Sequence, residues 1–589
     1  MPSHALLRAA LLLTATGIVS ASSVRHALDE EATDVALAVG YAFYLGLILL
    51  AVPRRPPRWA PLFGFALVAV TYAVAIVTLQ GNLIAIAIYI AAAYLGYVTT
   101  PPTFRPLTVA AFALWTPALR FFGPEPTEGR FPPILALASV LALFNLVGAL
   151  LDRTARDPEE HLRRIGLGLL AVATVATVVE RHLVVASFAI APDDLMALVV
   201  VGTLPLLAVL RVRPPTRDAL ATGLALAAFT LTAIALLVGK AYHVDSVTVP
   251  HHAAELLLAG QNPYRTFDLP TALAEFGLDP QLVTHYEDGS VLRSLNYPAM
   301  SFLVVAPFVA IGVTDVRWIY FAEIVLLVLI LLRHVRIPWR PLVAAAAIGN
   351  TIIVRQNILA GVDPTWVLLV AVAWLSVGSR WFSPIAVGLA VASRQPAWFV
   401  APFYLIAIWK RDGRAEALRR AGVVAASALV PNLPFIINAP LEFADGISAP
   451  MLGALAPYGV GFVRLGIDGA LPLLPRGVYG ALSGAALLVL ALVLWRFWRR
   501  MPVAAAVFPF VPLYLAWRSL QNYFGSIPLL AMAADDELLA GEAAVAAEPR
   551  ALGERAATPA PAAGAAWPAR PDNAASADRP RPAGDPRLP

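Results

Sequence analysis

The chain has 589 residues, of which 59% are hydrophobic and only 14% are charged, and its formal net charge is +5. Soluble domains carry about 45–50% apolar and about 25% charged residues, so this composition excludes a soluble globule and predicts an all-α polytopic membrane protein. The chain contains no cysteine, which excludes disulfides, thiolate metal ligands and a cysteine nucleophile.

The first 217 residues alternate between apolar runs and short polar segments. Residues 5–19 resemble a signal peptide, but the many spans that follow favour an uncleaved first span. Basic loops stay on the cytoplasmic side of a membrane, and here they cover 53–59, 99–106, 152–166 and 211–217. This pattern predicts an N-terminal region of eight spans over 1–217, in the plasma membrane, with a cytoplasmic N-terminus. It also accounts for the positive charge, so we expect no nucleic-acid partner.

A ninth span, roughly Leu220 to Val238, then runs outward and places residues 239–297 on the non-cytoplasmic face. This segment is the longest polar interval between spans, and Asp245 follows the span by a few residues. Partial desolvation at the membrane interface would raise the pKa of this aspartate and suit it to act as a general base. The alternative is a water-solvated aspartate at the membrane rim.

The same interval contains one amphipathic helix, predicted from about Pro250 to Ala259 on the membrane surface. Gly260 ends it and Pro263 prevents its continuation. His251, His252 and Glu255 lie within one turn of this helix, which allows a metal site. Adjacent histidines point in different directions, however, so we expect acceptor contacts or interfacial polarity here, and no metal cofactor.

Residues 218–534 form the second part of the chain. If every apolar segment crossed the membrane, the basic loop after residue 332 would lie outside, so one segment must not cross. The segment 298–313, with Pro298 and Pro307, is predicted to be this segment, as a re-entrant pair of half-helices. Further apolar segments cover 317–332, 341–354, 358–377, 382–394, 397–409, 421–438, 478–495, 503–518 and 524–534. An outer loop covers 439–477. Residues 535–589 are rich in Ala and Pro, which predicts a disordered tail.

Two arginines end short outward segments. Arg355 and Arg394 follow segments of 13 or 14 residues, about 20 Å at helical rise, so their side chains should lie below the outer surface. Two guanidiniums that converge in a partly dry site would bind a phosphate through charge-assisted hydrogen bonds. Alternatively, each reaches the lipid headgroups or pairs with an acid such as Asp363.

The order of these motifs resembles the C-type membrane glycosyltransferases, and most closely glycosyltransferase family 87, which uses polyprenyl-phosphate-mannose. The resemblance is carried by Asp245 after a span, "ELLLAGQNPY" (255–264), "NYPAMSFLVVAPF" (296–308), "VRQN" (354–357) and a small-residue helix that ends at Arg394. Ala299 replaces a family proline, Arg355 stands where glycine is usual, and Arg394 stands where lysine is common. The resemblance covers about residues 219–530 and implies a GT-C-like helical bundle, extended by the extra N-terminal spans, whose first outer loop is catalytic.

The resemblance implies an inverting transfer of a mannose-like sugar from a polyprenyl-phosphate donor to a lipid, glycan or protein hydroxyl. Asp245 would be the general base, and Arg394 with Arg355 would bind the donor phosphate. The candidate substrate contacts are Gln356, Asn357, His251, His252, Tyr264, Tyr297, Arg518 and Asn522. The expected partners are the lipid-linked donor, the acceptor and membrane lipids.

Two other classes of function compete with this interpretation. A transporter or lipid-linked-sugar flippase would also have many spans, broken helices and buried arginines. Against it, the sequence shows no inverted repeat, and its polar residues collect on one side. A non-catalytic assembly protein would use 239–297 as a docking surface.

Overall fold

The computed structural model describes residues 214–239, 241–279, 284–335, 340, 343–344, 347, 353–361, 363–467, 469 and 471–534. These residues belong to one compact unit and are mostly helical. Apart from residues 214–217, the predicted eight-span region over 1–217 lies outside the described residues, as does the predicted tail over 535–589.

Helices account for nearly all of the described elements. Up to residue 335 they are α1 (Pro214–Gly239), α2 (Asp245–Leu258), α3 (Pro263–Thr266), α4 (Leu269–Glu275), α5 (Met300–Leu303), α6 (Ala306–Ala310) and α7 (Arg317–His334). A π-helix covers Ile353–Ile358. Beyond it lie α8 (Asp363–Leu375), α9 (Phe382–Val391), α10 (Pro396–Asp412), α11 (Arg414–Asn438), α12 (Pro440–Leu452), α13 (Val463–Ile467), α14 (Arg476–Phe497), α15 (Ala504–Val507), α16 (Phe510–Leu515) and α17 (Ile527–Ala533). Short 3-10 turns cover Trp498–Arg500 and Gln521–Tyr523, and β1 (Tyr458–Gly459) pairs in parallel with β2 (Arg518–Ser519).

Prolines set the breaks in the apolar segments, because a proline has no N–H for the helical hydrogen bond. Pro307 lies in the first turn of α6, so the segment predicted as two half-helices does form two short helices, α5 and α6. The segment 503–518 was expected to be one span. It is instead divided at Pro509 into α15 and α16.

The start of α2 corrects the sequence prediction. The helix begins at Asp245, five residues before the predicted start, and Pro250 lies inside it. Val247, Thr248 and Val249 are all buried, so packing of this first turn and a half offsets the backbone bond that Pro250 cannot make. The helix ends as predicted, since Gly260 adopts a φ of +76° directly after it. The early start places Asp245 in the first turn, where the helix dipole favours a negative charge.

The apolar side chains form two main cores. The bundle core, formed mainly by α7 to α11 and α14 to α17, includes Trp366, Trp374 and Phe510. The loop core is formed by α2, α4, α5, α6 and the parts of α7, α11 and α12 that contact them, and it includes Phe302 and Tyr320. Residues of α2 itself belong to the loop core, and this packing fixes the position of α2 in the polar interval that follows α1.

Among the described helices, α11 and α14 are long and apolar enough to cross a membrane. Both present large apolar side chains outward, with Val430 and Ile437 exposed on α11, and Leu488 and Leu492 exposed on α14. Continuous apolar surface of this kind is rare on proteins surrounded by water. The described chain is thus a mostly helical protein with two candidate membrane-spanning helices.

The two predicted outer loops and the segment that follows α16 meet in the structure. Tyr286 forms a bridge with Leu455, which joins the first outer loop, 239–297, to the second, 439–477. The strand pair of β1 with β2 then joins the second loop to the segment that follows α16. Gly459 has a φ of +134° and approaches the Ser519 carbonyl so closely that a side chain there would collide with it.

The packing of α9 against α11 yields a test of this helix arrangement. A Cβ at Gly388 would lie 2.5 Å from both Ser427 Cβ and the Val424 carbonyl oxygen, whereas a Cβ at Gly422 on α11 would meet nothing within 4 Å. We therefore expect Gly388→Ala to lower the stability by about 1–3 kcal/mol through overpacking, and Gly422→Ala to leave it unchanged or slightly raised. The measurement is the thermal unfolding midpoint of the detergent-solubilised protein. Equal midpoints for the two variants would contradict this contact.

Candidate functional site

A cavity of about 870 Å³ opens where the three joined segments meet. Its wall contains Asp245 from the start of α2, Arg394 from the break between α9 and α10, and Arg518 from β2. Other polar residues on the wall are His243, Ser246, Thr284, His285, Asn296, Tyr297, Gln395, Arg464, Arg476, Ser483, Asn522 and Tyr523. The residues that the sequence singled out as a base and a phosphate ligand therefore face the same space.

Asp245 is held at this wall by contacts on both sides of its helix start. The Thr284 hydroxyl donates a hydrogen bond of 3.0 Å to Asp245 Oδ2, and the neighbouring Ser246 hydroxyl donates to the carbonyl of Ala360. Asp245 is partly buried in the cavity wall, and this burial raises the pKa of its carboxyl group. The hydrogen bond from Thr284 and the positive charges of Arg518 and Arg394 oppose that rise in pKa. The result is a carboxyl group suited to accept a proton.

Arg394 lies in the short break between α9 and α10. Pro396 begins α10 and has no N–H with which to continue the hydrogen-bond ladder of α9, and Arg394 lies outside both helices. Its side chain is only 4% exposed, and its guanidinium carbon lies 3.9 Å from the ring centroid of Tyr297. Nη1 of Arg394 is buried and has no hydrogen-bond partner among the described residues. An unpaired buried donor is unfavourable unless a ligand satisfies it, so this atom indicates an anion site.

The opposite edge of the same guanidinium faces Asp363. Arg394 Nε lies 3.6 Å from Asp363 Oδ1, and Asp363 is 0% exposed. Asp363 also accepts a hydrogen bond of 2.6 Å from Trp366 Nε1 and another from Asn522 Nδ2. The structure therefore combines the two sequence-based alternatives for Arg394. One edge pairs with the acid, and the other edge remains available to a ligand.

Arg518 supplies a second guanidinium in the cavity wall. Its Nη1 donates a hydrogen bond of 2.9 Å to the carbonyl of Ala456, which anchors it beside β1. Arg476 also lines the cavity, with its Nη1 bonded to the Gly453 carbonyl, and Arg464 lies on the same wall. The wall thus carries four arginines and one aspartate, so its electrostatic potential favours an anionic ligand.

Several predicted contact residues lie away from this cavity. Tyr264 is buried in the loop core, where its hydroxyl donates a hydrogen bond of 2.8 Å to the Tyr297 carbonyl. His251 is also buried, and its Nδ1 lies 3.0 Å from the Tyr242 hydroxyl. His252 lies beside Glu275. These three residues support α2 and its surroundings and do not line the cavity.

Of the three site residues predicted in the 355–357 segment, Asn357 is the one whose side chain the structure describes. Asn357 is 1% exposed, and its Nδ2 lies 3.4 Å from the carbonyl oxygen of Asn522, so it acts behind the cavity wall. The side chains of Arg355 and Gln356 lie outside the described residues. Arg518 and Arg394 both lie on the wall near Asp245, and their positive charges act on its carboxyl group. The phosphate-binding role expected of Arg355 stays a prediction.

Sequence reasoning missed several residues of the cavity wall. Gln395 and Asn296 are sequence neighbours of Arg394 and Tyr297, and Gln395 Nε2 donates a hydrogen bond of 2.6 Å to the Asn296 carbonyl. Because Arg394 and Tyr297 were already candidate site residues, their sequence neighbours Gln395 and Asn296 could have been included as candidates. Thr284 and Arg476 had no such signal, because only the meeting of the two outer loops brings them to the cavity.

Comparison of the chain with family models, with curated proteins and with solved structures yields no match.

The buried pair of Arg394 and Asp363 predicts coupled stability effects. Loss of either charge leaves the other buried without its partner, so we expect Arg394→Gln and Asp363→Asn each to destabilise the protein by about 3–5 kcal/mol. The double variant should be less destabilised than the sum of the two by about 0.5–3 kcal/mol. The thermal unfolding midpoints of the four proteins in detergent measure this coupling. Strictly additive losses would show that the 3.6 Å approach has no energetic role.

Proposed function

We propose that this protein transfers a sugar from a polyprenyl-phosphate donor to an acceptor hydroxyl, with inversion at the anomeric carbon, on the non-cytoplasmic face of the plasma membrane. One observation carries the proposal. A carboxylate with a raised pKa and a buried guanidinium with an unpaired N–H line the same cavity. The polyprenyl-phosphate donor and the mannose-like sugar follow from the resemblance of the motifs around Asp245 and Arg394.

In this proposal Asp245 is the general base. Its carboxylate takes the proton of the acceptor hydroxyl while the hydroxyl oxygen forms a bond to C1 of the sugar. The bond between C1 and the phosphate oxygen breaks, and its electron pair leaves with the polyprenyl phosphate. Attack from the face opposite the leaving group inverts the anomeric carbon. A positioned base typically contributes about 10²- to 10⁴-fold to the rate.

The arginines would act on the leaving phosphate, where negative charge grows as the bond breaks. Arg394 already lacks a partner at Nη1, so a phosphate oxygen would satisfy a donor that is otherwise unpaired. Its pairing with Asp363 and its contact with Tyr297 hold the guanidinium still, which is how preorganised charges stabilise a transition state without reorganisation. Arg518 lies on the same wall and adds a second positive charge.

The size and surroundings of the cavity suit a lipid-linked sugar. Small-molecule sites usually enclose about 300–1,000 Å³, so a volume of about 870 Å³ accommodates a monosaccharide phosphate together with part of an acceptor. The exposed apolar faces of α11 and α14 suit a bilayer, in which a polyprenyl tail would remain. Lipid, glycan and protein hydroxyls are equivalent nucleophiles, so the proposed chemistry fits all three classes of acceptor.

A matched pair of aspartate variants tests the proposed base. Asp245→Asn should lower turnover by about 10²- to 10⁴-fold, because the amide cannot accept the proton. Asp288→Asn is the control, since Asp288 lies on the exposed turn of the same outer loop and bonds only to Ser290. The assay uses purified protein in lipid with labelled polyprenyl-phosphate mannose and a panel of acceptor alcohols and glycans.

The outcomes of this assay separate the candidate functions. Turnover that Asp245→Asn loses and Asp288→Asn retains would support the enzyme and its base. Equal turnover in both variants would remove Asp245 from the mechanism. Movement of a solute or of the lipid-linked sugar across vesicle membranes, with no sugar transferred, would favour a transporter or flippase instead.

The hydrogen bond from Thr284 predicts a change in the pH dependence. Only the deprotonated form of Asp245 can act as a base, so activity should rise with pH through its pKa, which burial places above the usual value. Thr284→Val removes a hydrogen bond that stabilises the carboxylate, so the acid limb of the pH–rate profile should move to higher pH by roughly one unit. Thr271→Val is the control, because that hydroxyl bonds to Asp268 on the surface. An acid limb that stays in place or moves to lower pH would contradict the assignment.

A further inference from the structure

A second polar cluster lies on α2, away from the cavity wall. His252 and Glu255 are on α2, and Glu275 is at the end of α4. One potential ligand atom from each of these residues lies within 4.8 Å of the other two. The sequence analysis weighed His251 with His252 and Glu255. The two histidines point in different directions, and the structure replaces His251 in the group with Glu275.

The atoms of this cluster are close together but are not satisfied by one another. His252 Nδ1 lies 2.6 Å from Glu275 Oε2 and 3.5 Å from Glu255 Oε2. Nevertheless, His252 Nδ1 and Glu255 Oε2 are both inaccessible to water and have no hydrogen-bond partner among the described residues. The short approach of Glu275 to the imidazole therefore lacks the geometry of a hydrogen bond. Two buried acceptor atoms that face a common point are the arrangement that a cation would satisfy.

The charges of the cluster also favour a bound cation. Glu255 and Glu275 both face His252, and Glu255 also lies 3.7 Å from His251 Nε2. In the part of the chain that the structure describes, neither carboxylate pairs with Lys or Arg. A divalent cation would compensate both carboxylates and would leave the imidazole neutral, which is the form that binds metals.

The surroundings hold the imidazole in one orientation. The His252 ring packs edge-on against Phe267 at 5.6 Å between ring centroids, and His252 is 12% exposed. Glu255 and Glu275 are 36% and 47% exposed, so the cluster is open on one side to water. A metal at this position would therefore be reachable from solution and would retain a water ligand on its open side.

We propose that His252, Glu255 and Glu275 form a binding site for a divalent transition-metal ion, Zn²⁺ or Mn²⁺, that links α2 to α4. One imidazole nitrogen and two carboxylate oxygens are a common ligand set for Zn²⁺, with a water molecule as the fourth ligand. Ligands about 2.1 Å from a tetrahedral ion lie about 3.4 Å apart, close to the 3.5 Å between His252 and Glu255. The 2.6 Å between His252 Nδ1 and Glu275 Oε2 is shorter than this spacing, so metal binding requires the half-exposed Glu275 side chain to rotate away from the imidazole. The site is structural, since Asp245 begins the same helix about two turns away.

The test uses the full chain, purified through an affinity tag without histidines, treated with a chelator and kept in detergent or lipid nanodiscs. Titration with Zn²⁺ or with Mn²⁺, followed by calorimetry and by elemental analysis after desalting, should show one bound ion per chain. The same ion should raise the thermal unfolding midpoint. His252→Ala, Glu255→Gln and Glu275→Gln should each weaken binding at least tenfold and remove the metal-dependent rise in the midpoint.

Two controls keep the result interpretable. His334→Ala removes an exposed histidine at the end of α7 and should bind metal as the unmodified protein does. Glu255→Gln and Glu275→Gln keep the size of the side chain, so a variant that folds without metal still reports on binding. Loss of binding in the three cluster variants but not in His334→Ala supports the site. Absence of stoichiometric binding, or equal affinity in all variants, overturns it. Neither readout depends on sugar transfer, so the metal site and the proposed function can fail separately.

Discussion

The arrangement of the cavity depends on one constraint, which is that charges enclosed by apolar helices must find their partners on other elements. Asp363 begins α8 and is 0% exposed. Trp366 and Asn522 donate hydrogen bonds to it, and Arg394 forms an ion pair with it at 3.6 Å. These residues come from one helix, from the break between α9 and α10, and from the turn after β2. A carboxylate buried without them would be costly, so this pairing fixes how the three parts of the bundle meet.

Two carboxylates at helix starts have different surroundings and different roles: Asp245 lines the cavity, and Asp363 lies behind Arg394. Asp363 accepts two hydrogen bonds and holds Arg394 in position through an ion pair. Asp245 accepts one side-chain hydrogen bond, from Thr284, and lines open space. The first arrangement satisfies a charge permanently, while the second leaves a carboxyl group available to exchange a proton. Environment rather than residue type therefore distinguishes the structural acid from the reactive one.

Helix α2 connects the two features on which the proposals rest. Its first residue faces the cavity, while His252 and Glu255, two to three turns later, face α4. Between them Val247, Ala253 and Ala254 pack into the loop core. A metal ion bound at the far end of this helix would stabilise the position of Asp245 without any contact with the substrate.

The sequence alone determined the mostly helical class, the approximate positions of the longer apolar helices after residue 214, and the residue types suited to proton transfer and anion binding. Apolar runs, prolines and the glycine after α2 are local signals, and each can be interpreted within about twenty residues. The early start of α2 escaped this reasoning because buried side chains in its first turn outweigh the missing hydrogen bond at Pro250. Tertiary structure alone decided that Arg518 lies with Arg394 on the wall that contains Asp245, and that Glu275 joins His252. Such contacts join residues distant in the sequence, and they depend on how whole helices pack, which local patterns do not specify.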